Sequence, residues 1–243
     1  MRFLDAEGEA IAAATVVPLR DVPQPDGSTA LEVLMLRRNS TIAFGGTWVF
    51  PGGRVDPADE DAAALGDELA AARRAAAREA LEEADLLVEP GAMVPLSHWT
   101  PPEQGALGST KRFLTWFFLC RAPVGEAGVV TIDGGEIHED AWVRPAEMLA
   151  RRDAGEIQLV PPTWVTLHHL ARHATVDDAL ADAAAREPER FASRILQVPE
   201  GDRPLVLAWD GDVAYDGGPV DAPGPRHRLV MAEPAWRYEV DPV

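Results

Sequence analysis

The sequence predicts an α/β fold in which helices pack on a mixed central sheet. Over most of its 243 residues, apolar strand-like segments alternate with helical segments, which is the pattern of an α/β sandwich. Residues 31–37 (LEVLMLR) are nearly all apolar, as expected for a central strand that is buried on both faces. Residues 61–84 are rich in alanine and almost free of helix breakers, so they indicate one long helix.

The elements of the first half are separated by clusters of proline, glycine and aspartate. Residues 21–30 hold two prolines and a glycine, and they form a loop between two strands. The pattern predicts, in chain order, a strand at 10–19, a strand at 31–37, a short strand at 47–50 leading into Pro51-Gly52-Gly53, a turn at 54–61, and a helix from about Asp59 to Ala84.

The second half continues the alternation of strands and helices. Residues 111–121 (KRFLTWFFLCR) form a strongly apolar strand, and proline or threonine marks the start of each later helix. The pattern predicts strands at 92–100, 111–121, 129–132 and 140–143, and then helices at 145–152, 161–173 and 175–186.

From Glu187 onward, frequent prolines break the chain into short apolar strands such as 204–209 and 228–232. Strands this apolar are not stable in water by themselves, so they predict a β-rich extension that packs on the core. We therefore divide the chain into a domain at 1–186 and a C-terminal extension at 187–243.

The charge balance limits the binding partners. The 40 acidic and 22 basic residues give a net charge of −18, which argues against nucleic acid and anionic membranes because both require a basic surface. The sequence has no signal-peptide pattern and no apolar stretch of membrane-spanning length, so we expect a cytoplasmic protein. The single cysteine, Cys120, lies in an apolar segment and is expected to be a buried structural thiol.

The most informative motif is acidic. Glu79, Glu82 and Glu83 occupy positions i, i+3 and i+4 of the long helix, so their carboxylates project from one face. Three anions this close repel one another unless a cation joins them, and clustered oxygen ligands suit Mg²⁺ or Mn²⁺. Gly52 and Gly53 allow backbone groups to approach the same ion or a phosphate closely. The alternative interpretation is a solvated acidic face on a surface helix.

These residues give the chain a resemblance to the Nudix hydrolases. The signature of that family is G-x5-E-x7-R-E-U-x-E-E-x-G-U, in which U is a bulky apolar residue. Gly53 matches its first glycine, and REALEEADL at 78–86 matches its second half.

Two departures from the signature leave questions open. The segment between Gly53 and Arg78 is longer than the signature allows, so Asp59, Glu60 and Glu68 all remain candidates for the first acidic position. Asp85 replaces the second glycine, although aspartate tolerates the left-handed conformation common at helix ends.

The resemblance implies a Nudix α/β/α sandwich and a metal-dependent hydrolase that cleaves diphosphate bonds. It implies that Mg²⁺ or Mn²⁺ is bound by Glu79, Glu82 and Glu83, with the carbonyl of Gly53 or Gly52. Glu82 and Glu83 are also catalytic candidates in this interpretation. Arg78 is better explained as a residue that orients a glutamate through a charge-assisted hydrogen bond.

Nudix enzymes often use a further glutamate downstream of the helix as a general base or as an additional metal ligand. Glu136 and Glu139, in the segment GGEIHEDAWVRP, are equal candidates for this role. The alternative for at least one of them is a solvated loop acid.

Two longer segments, FPGGRVDPADED and HWTPPE…KRFLTWFFL, narrow the resemblance to the coenzyme A diphosphatase subgroup. The subgroup's substrate motif is matched in part, at Arg37, Gly46 and 50–53. The resemblance therefore implies coenzyme A or an acyl derivative as substrate. The residues implied to bind it are Arg37, Gly52, Gly53, Lys111 and Arg112.

Two other interpretations stay open. NADH or ADP-ribose is the alternative substrate, because pocket loops and not the metal-binding residues decide substrate choice. The alternative role is a non-catalytic domain that senses a nucleotide. The resemblance to the family also implies a homodimer.

Overall fold

The computed structural model describes residues 10–39, 46–62, 66–103, 112–132, 134–197, 200–201 and 203–241. In this part of the chain, eight strands form a central sheet and four later strands form a second sheet. The central strands are β1 (Ala10–Pro23), β2 (Thr29–Arg38), β3 (Trp48–Val49), β4 (Gly52–Arg54), β5 (Val94–Thr100), β6 (Arg112–Arg121), β7 (Ile137–Val143) and β8 (Glu189–Ala192). The second sheet comprises β9 (Arg194–Gln197), β10 (Leu205–Ala208), β11 (His227–Met231) and β12 (Arg237–Val240). The helices are α1 (Pro57–Asp61), α2 (Glu68–Ala84), α3 (Pro145–Asp153), α4 (Pro161–Leu170) and α5 (Val176–Ala184).

The central sheet is mixed, so the predicted fold class is confirmed. Its strands follow the order β3-β2-β1-β6-β5-β8, with β4 also paired to β1 and β7 also paired to β2. β1 runs parallel to β6 and antiparallel to β2 and β4. The long strand β1 therefore connects the Gly52-Gly53 turn on one side to the strongly apolar strand β6 on the other.

Each face of the central sheet has its own core. Val16 and Val17 are neighbours in β1 and both are fully buried, but they belong to opposite cores because side chains alternate along a strand. On the Val16 face, α2 packs through a row of buried alanines, whose small side chains let the helix backbone lie close to the sheet. Cys120 is buried in this same core, and burial raises the pKa of its thiol to about 12, as expected for a structural cysteine.

The prediction of one long helix is wrong, because the stretch forms two helices. α1 ends at Asp61, and α2 begins after Asp67, whose side chain accepts a hydrogen bond of 2.9 Å from the backbone N–H of Ala70. Gly66 lies between them with a φ of 81°, a left-handed conformation that a continuing helix does not allow. Alanine content alone did not reveal this break.

A second correction concerns residues 129–132, which were predicted to form a strand. They pair with no strand in the described part of the chain, and Thr131 donates instead a hydrogen bond of 3.0 Å to the carbonyl of Ala84 at the end of α2. This segment holds the end of α2 and does not extend the sheet.

Conversely, the short strands β4, β8, β9 and β12 were not predicted.

The C-terminal extension is held to the core by both strand pairing and side chains. Its first strand, β8, joins the central sheet by parallel pairing with β5. Arg152 of α3, only 6% exposed, donates hydrogen bonds of 2.7 Å to Glu233 and to the carbonyl of Pro234. Its guanidinium also lies 4.2 Å from the ring centroid of Trp236. The division of the chain at residues 186 and 187 stays a prediction.

No helix in the described ranges is long and apolar enough to cross a membrane.

His227 is a second link between the extension and the central sheet. Its Nδ1 lies 2.6 Å from the carbonyl oxygen of Asp210, and its Nε2 lies 3.2 Å from Glu189 of β8. A ring protonated on both nitrogens would donate to both acceptors, and Nε2 also lies 2.9 Å from the hydroxyl of Tyr238. Burial is the largest single influence and by itself would lower the pKa of His227, but the hydrogen bonds with Glu189 and Asp210 and the charges of Glu189 and Asp212 together outweigh it, so the pKa is raised.

We expect this link to make stability depend on pH. A histidine with a raised folded pKa contributes stability that is complete below its unfolded pKa of about 6.5, and that contribution disappears as pH rises through the folded pKa. The free energy of unfolding of the wild type should therefore exceed that of His227→Gln by about 1–2 kcal/mol near pH 6. Urea denaturation at several pH values measures this difference, which should shrink above pH 6.5.

His138→Gln is the matched control, because His138 is exposed and lies outside this contact. A difference between wild type and His227→Gln that stayed constant from pH 6 to pH 9 would show that His227 is not protonated in the folded protein.

Candidate functional site

The glycine turn is tightly enclosed between β1 and α2. Gly52 pairs with Thr15 and Gly53 pairs with Ala14, so β4 lies directly against β1. A Cβ atom on Gly52 would collide with Thr15 and the backbone of Ala14, and one on Gly53 would collide with the carboxylate of Glu79. Position 52 therefore requires glycine, because the backbone of β1 lies too close for any side chain, whereas a Cβ atom at position 53 would have to displace the Glu79 carboxylate.

α2 presents its acidic turn to these glycines. Glu83 is 5% exposed, and its carboxylate accepts a hydrogen bond of 3.0 Å from the backbone N–H of Gly52. Glu79 is largely buried against Gly53, whereas Glu82 is exposed at the outer side of the turn. The helix ends at Asp85, which adopts the left-handed conformation with a φ of 52°, as the sequence predicted for this departure from glycine.

The positive charges near the buried carboxylates do not offset the effect of burial on their pKa values. Burial raises the pKa of Glu83 to about 8, against the opposing effects of the Gly52 N–H and of the charge of Arg38, and the charges of Glu79 and Glu136 raise it further. Burial also raises the pKa of Glu79, although its hydrogen bond with Arg78 opposes the shift. A positive charge placed at this turn would reverse both shifts.

Arg78 connects the acidic turn to the segment that precedes α2. Its guanidinium donates hydrogen bonds of 2.9 Å to Glu79, 3.0 Å to Glu82 and 3.1 Å to Asp59. A fourth hydrogen bond, of 2.8 Å, reaches the carbonyl of Arg54 at the end of β4. Arg78 therefore sets the position of the glutamates relative to the glycine turn.

This network distinguishes the three candidates for the first acidic position. Asp59 is 7% exposed and bonds to Arg78, whereas Glu60 is exposed and Glu68 lies at the exposed start of α2. Asp59 also accepts a hydrogen bond of 3.0 Å from the N–H of Asp56, which fixes the first turn of α1. The signal that pointed to Asp59 was its distance along the chain from Gly53.

The two downstream glutamates are held by neighbouring arginines at the end of β2. Glu136 pairs with Arg38, and Glu139 pairs with Arg37, each at 3.0 Å. The negative charge of Glu136 contributes to the raised pKa of both Glu79 and Glu83. The structure therefore brings Glu136 into the electrostatic field of the acidic turn. Arg38, which pairs with Glu136 and lowers the pKa of Glu83, was not among the residues predicted for the site.

The predicted substrate-binding residues are not all brought together. Arg37 is engaged with Glu139 and lies 3.4 Å from the carbonyl of Gly46. Arg112 is at the start of β6, opposite Ala10, and its guanidinium contacts the carbonyl of Pro101 at 3.3 Å. Lys111 lies outside the described residues.

The acidic turn is suited to a metal by its chemistry, although no ready-made centre exists. Within the described ranges, no three metal-ligating side chains converge closely enough to enclose an ion, and Arg78 bridges Glu79 and Glu82. The donors available are all oxygens, from three carboxylates and the backbone of the glycine turn, which is the ligand type that Mg²⁺ and Mn²⁺ prefer. The residues therefore fit a hard dication.

Comparison with known proteins identifies one family. The family model described as NUDIX domain matches residues 11–163. The structure of a NUDIX hydrolase from Alicyclobacillus acidocaldarius has a TM-score of 0.61 and 24% sequence identity, over 72% of this chain and 97% of that chain. At this level of identity the likeness shows a shared fold.

Two other solved structures are similar over comparable lengths. The MutT NUDIX hydrolase from Burkholderia pseudomallei has a TM-score of 0.46 at 19% identity, over 66% of this chain and 97% of that chain. The ORF135 protein from E. coli has a TM-score of 0.45 at 18% identity, over 76% of this chain and 99% of that chain. No curated protein matches the sequence.

The close packing of the glycine turn predicts a strong effect of a single methyl group. Gly53→Ala should force the Glu79 carboxylate or β4 to move and lower the free energy of unfolding by about 1–3 kcal/mol. Gly91→Ala is the matched control, because a Cβ there would meet only Glu89, at 3.8 Å. Thermal denaturation compares the two variants, and equal melting temperatures would contradict the described contact between Gly53 and Glu79.

Proposed function

The chain belongs to the NUDIX domain family, and from this premise we propose that it is a divalent-metal-dependent hydrolase that cleaves a diphosphate linkage in a nucleoside diphosphate derivative. The observation that carries the proposal is the burial of the Glu83 and Glu79 carboxylates against the Gly52-Gly53 turn. Carboxylates in this position destabilise the fold at neutral pH unless a cation is bound, and a bound dication is what diphosphate hydrolysis requires.

Each residue of the turn has a role in this proposal. Glu79, Glu82 and Glu83 would hold Mg²⁺ or Mn²⁺, with a backbone carbonyl of the glycine turn. When bound, the ion neutralises phosphate charge and lowers the pKa of a water ligand. Arg78 is a positioning residue, because its hydrogen bonds to Asp59 and Arg54 fix the helix against β4.

A proton acceptor is needed for the attacking water, and we assign this role to Glu136. In the hydrolysis, the water oxygen forms a bond to phosphorus, the bridging P–O bond breaks, and the water proton passes to a carboxylate oxygen. Glu136 is favoured over Glu139 because its charge acts on both Glu79 and Glu83. Arg38, at 3.0 Å, orients its carboxylate.

We propose coenzyme A or an acyl derivative as the substrate class, with NADH and ADP-ribose as the competing class. The support is the match of Arg37, Gly46 and residues 50–53 to the coenzyme A motif. Arg37 pairs with Glu139 at the surface, where a phosphate group can compete for its guanidinium. Incubation with coenzyme A, NADH and ADP-ribose in the presence of Mg²⁺ or Mn²⁺, followed by chromatography of the products, ranks these substrates directly.

A non-catalytic nucleotide-binding role is the second candidate. The observation that favours it is the position of Arg78, whose guanidinium bridges Glu79 and Glu82 and already provides a positive charge there. A sensor of this kind would bind nucleotides without cleaving them, and Glu79→Gln would leave the affinity for nucleotide unchanged.

Metal binding should be visible as thermal stabilisation. Mn²⁺ at about one hundred times its dissociation constant should stabilise the wild type by about 2.7 kcal/mol. Glu83→Gln should abolish most of this gain because it removes a buried anionic ligand, whereas the exposed Glu60→Gln, in α1, should retain it. Equal stabilisation of all three proteins by Mn²⁺ would place the ion elsewhere.

The assignment of the proton acceptor is tested by a pair of variants. Glu136→Gln should lower kcat by about 10²- to 10⁴-fold, the usual contribution of a general base, with little change in KM. Glu139→Gln should act mainly on KM, because it releases Arg37 from its ion pair. The reverse pattern in steady-state kinetics would transfer the role to Glu139.

A further inference from the structure

A line of side chains crosses the central sheet from the glycine turn to its edge. Gly53 lies opposite Ala14, Ala14 opposite Trp116, Trp116 opposite His98, and His98 opposite Arg190. Directly opposed residues of paired strands share one face of the sheet. That face is the one that α2 covers, because Ala14 belongs to the core beneath α2 and Trp116 packs against it.

The outer three residues of this line, which we call the Trp116 row, form an aromatic and cationic surface. The rings of His98 and Trp116 have centroids 4.7 Å apart, and the guanidinium of Arg190 lies 6.0 Å from the Trp116 ring centroid. Phe118, two residues further along β6, is fully buried, whereas Trp116 and His98 are half-buried and Arg190 is exposed. The row therefore begins where the cover provided by α2 ends.

Small and apolar residues continue this surface toward the acidic turn. Ala12 is exposed and lies opposite the half-buried Leu114, one step along the same face from the Trp116 row. The carbonyl of Ala12 accepts a hydrogen bond of 2.9 Å from Val55, directly after Arg54, whose own carbonyl binds Arg78. The sheet surface beside Trp116 is thus continuous with the segment that holds the acidic turn.

The charge of the Trp116 row differs from that of the molecule as a whole. The protein has a net charge of −18, but the row contains one cation and no acid. Burial, and then the charge of Arg190, lower the pKa of His98, so its ring is neutral near pH 7. A neutral imidazole, an indole and a guanidinium all offer planar faces to an aromatic ligand, and the guanidinium also attracts phosphate.

We propose that the Trp116 row binds the planar base of the nucleotide substrate, an inference that rests on the proposed function. Trp116 is two strand spacings from Gly53, or about 10 Å, so a base stacked there leaves room for a sugar between it and a diphosphate at the acidic turn. Stacking on an aromatic side chain suits this role because every base has a π-face. Trp116 is thereby a specificity residue for substrates that carry a base.

Binding of AMP to the full-length protein, measured by calorimetry with Mg²⁺ present, tests the proposal without requiring turnover. Ribose 5-phosphate is the probe that lacks a base. Trp116→Leu should weaken AMP binding by about 5- to 100-fold, the range expected for loss of one stacked base, and should leave ribose 5-phosphate binding unchanged. Trp116→Phe, which keeps an aromatic ring, should retain most of the affinity.

Three further variants separate loss of the base contact from a change in core packing at Trp116. Arg190→Gln is an exposed substitution and should weaken AMP binding by about two- to fivefold. Arg172→Gln removes another exposed arginine outside the row and should have no effect. Trp236→Leu removes a half-buried tryptophan that also has an arginine over its ring, and it should leave AMP affinity unchanged.

The outcomes separate this proposal from the proposed function. AMP binding that depends on Trp116, without cleavage of any diphosphate, would support a base site at the Trp116 row and refute the proposed hydrolase activity. If Trp116→Leu cleaves nucleoside diphosphates with an unaltered KM, the base site at the Trp116 row is overturned and the proposed hydrolase activity stands. Equal affinity of the wild type for AMP and for ribose 5-phosphate would also overturn the proposed base site. A Trp116→Leu protein that changes its mass in sedimentation, but not its affinity for AMP, would overturn it too and would indicate that Trp116 contacts a second copy of the chain.

Discussion

The site depends on one close contact, the passage of the Gly52-Gly53 backbone between β1 and α2. Gly52 lies so close to the backbone of β1 that a Cβ atom has no space, its backbone N–H reaches the carboxylate of Glu83 at 3.0 Å, and Gly53 lies against the carboxylate of Glu79. Two carboxylates are thereby removed from water and held beside each other. Burial raises their pKa values, and a cation bound at the turn would lower them again.

The rest of the fold supports this contact from two sides. On one side, the buried alanines of α2 let the helix approach β1 closely, and Arg78 ties its acidic turn to β4 and α1. On the other side, Phe50 precedes the turn and packs on Phe117 with ring centroids 6.4 Å apart. Phe117 contacts Trp99, which contacts Trp209 beside the extension's β10, so the extension adds to the core behind the turn.

Much of this was predictable from local patterns. The apolar strands β1, β2 and β6, the three later helices and the left-handed Asp85 follow from residue type and spacing, because each depends on neighbours in sequence. The break at Gly66 was missed, since the alanine content around it is that of one continuous helix. The ion pair of Asp59 with Arg78 and the effect of Glu136 on the pKa of Glu83 depend on packing between separate segments, and the spacing from Gly53 was the one sequence signal that favoured Asp59 over Glu60 and Glu68. The Trp116 row depends on the register of β5, β6 and β8, and its alignment with Gly53 depends on β1 and β4 as well; the sequence does not specify this register.

The central claim is that a dication belongs between the acidic turn of α2 and the glycine turn. Anomalous diffraction from crystals soaked in Mn²⁺ tests it most directly, because the scattering locates the ion without reference to activity. We expect a peak within about 2.0–2.3 Å of carboxylate oxygens of Glu79 and Glu83, with Arg78 displaced from Glu79. A map with no anomalous peak at this turn, and with Arg78 still bridging Glu79 and Glu82, would contradict it.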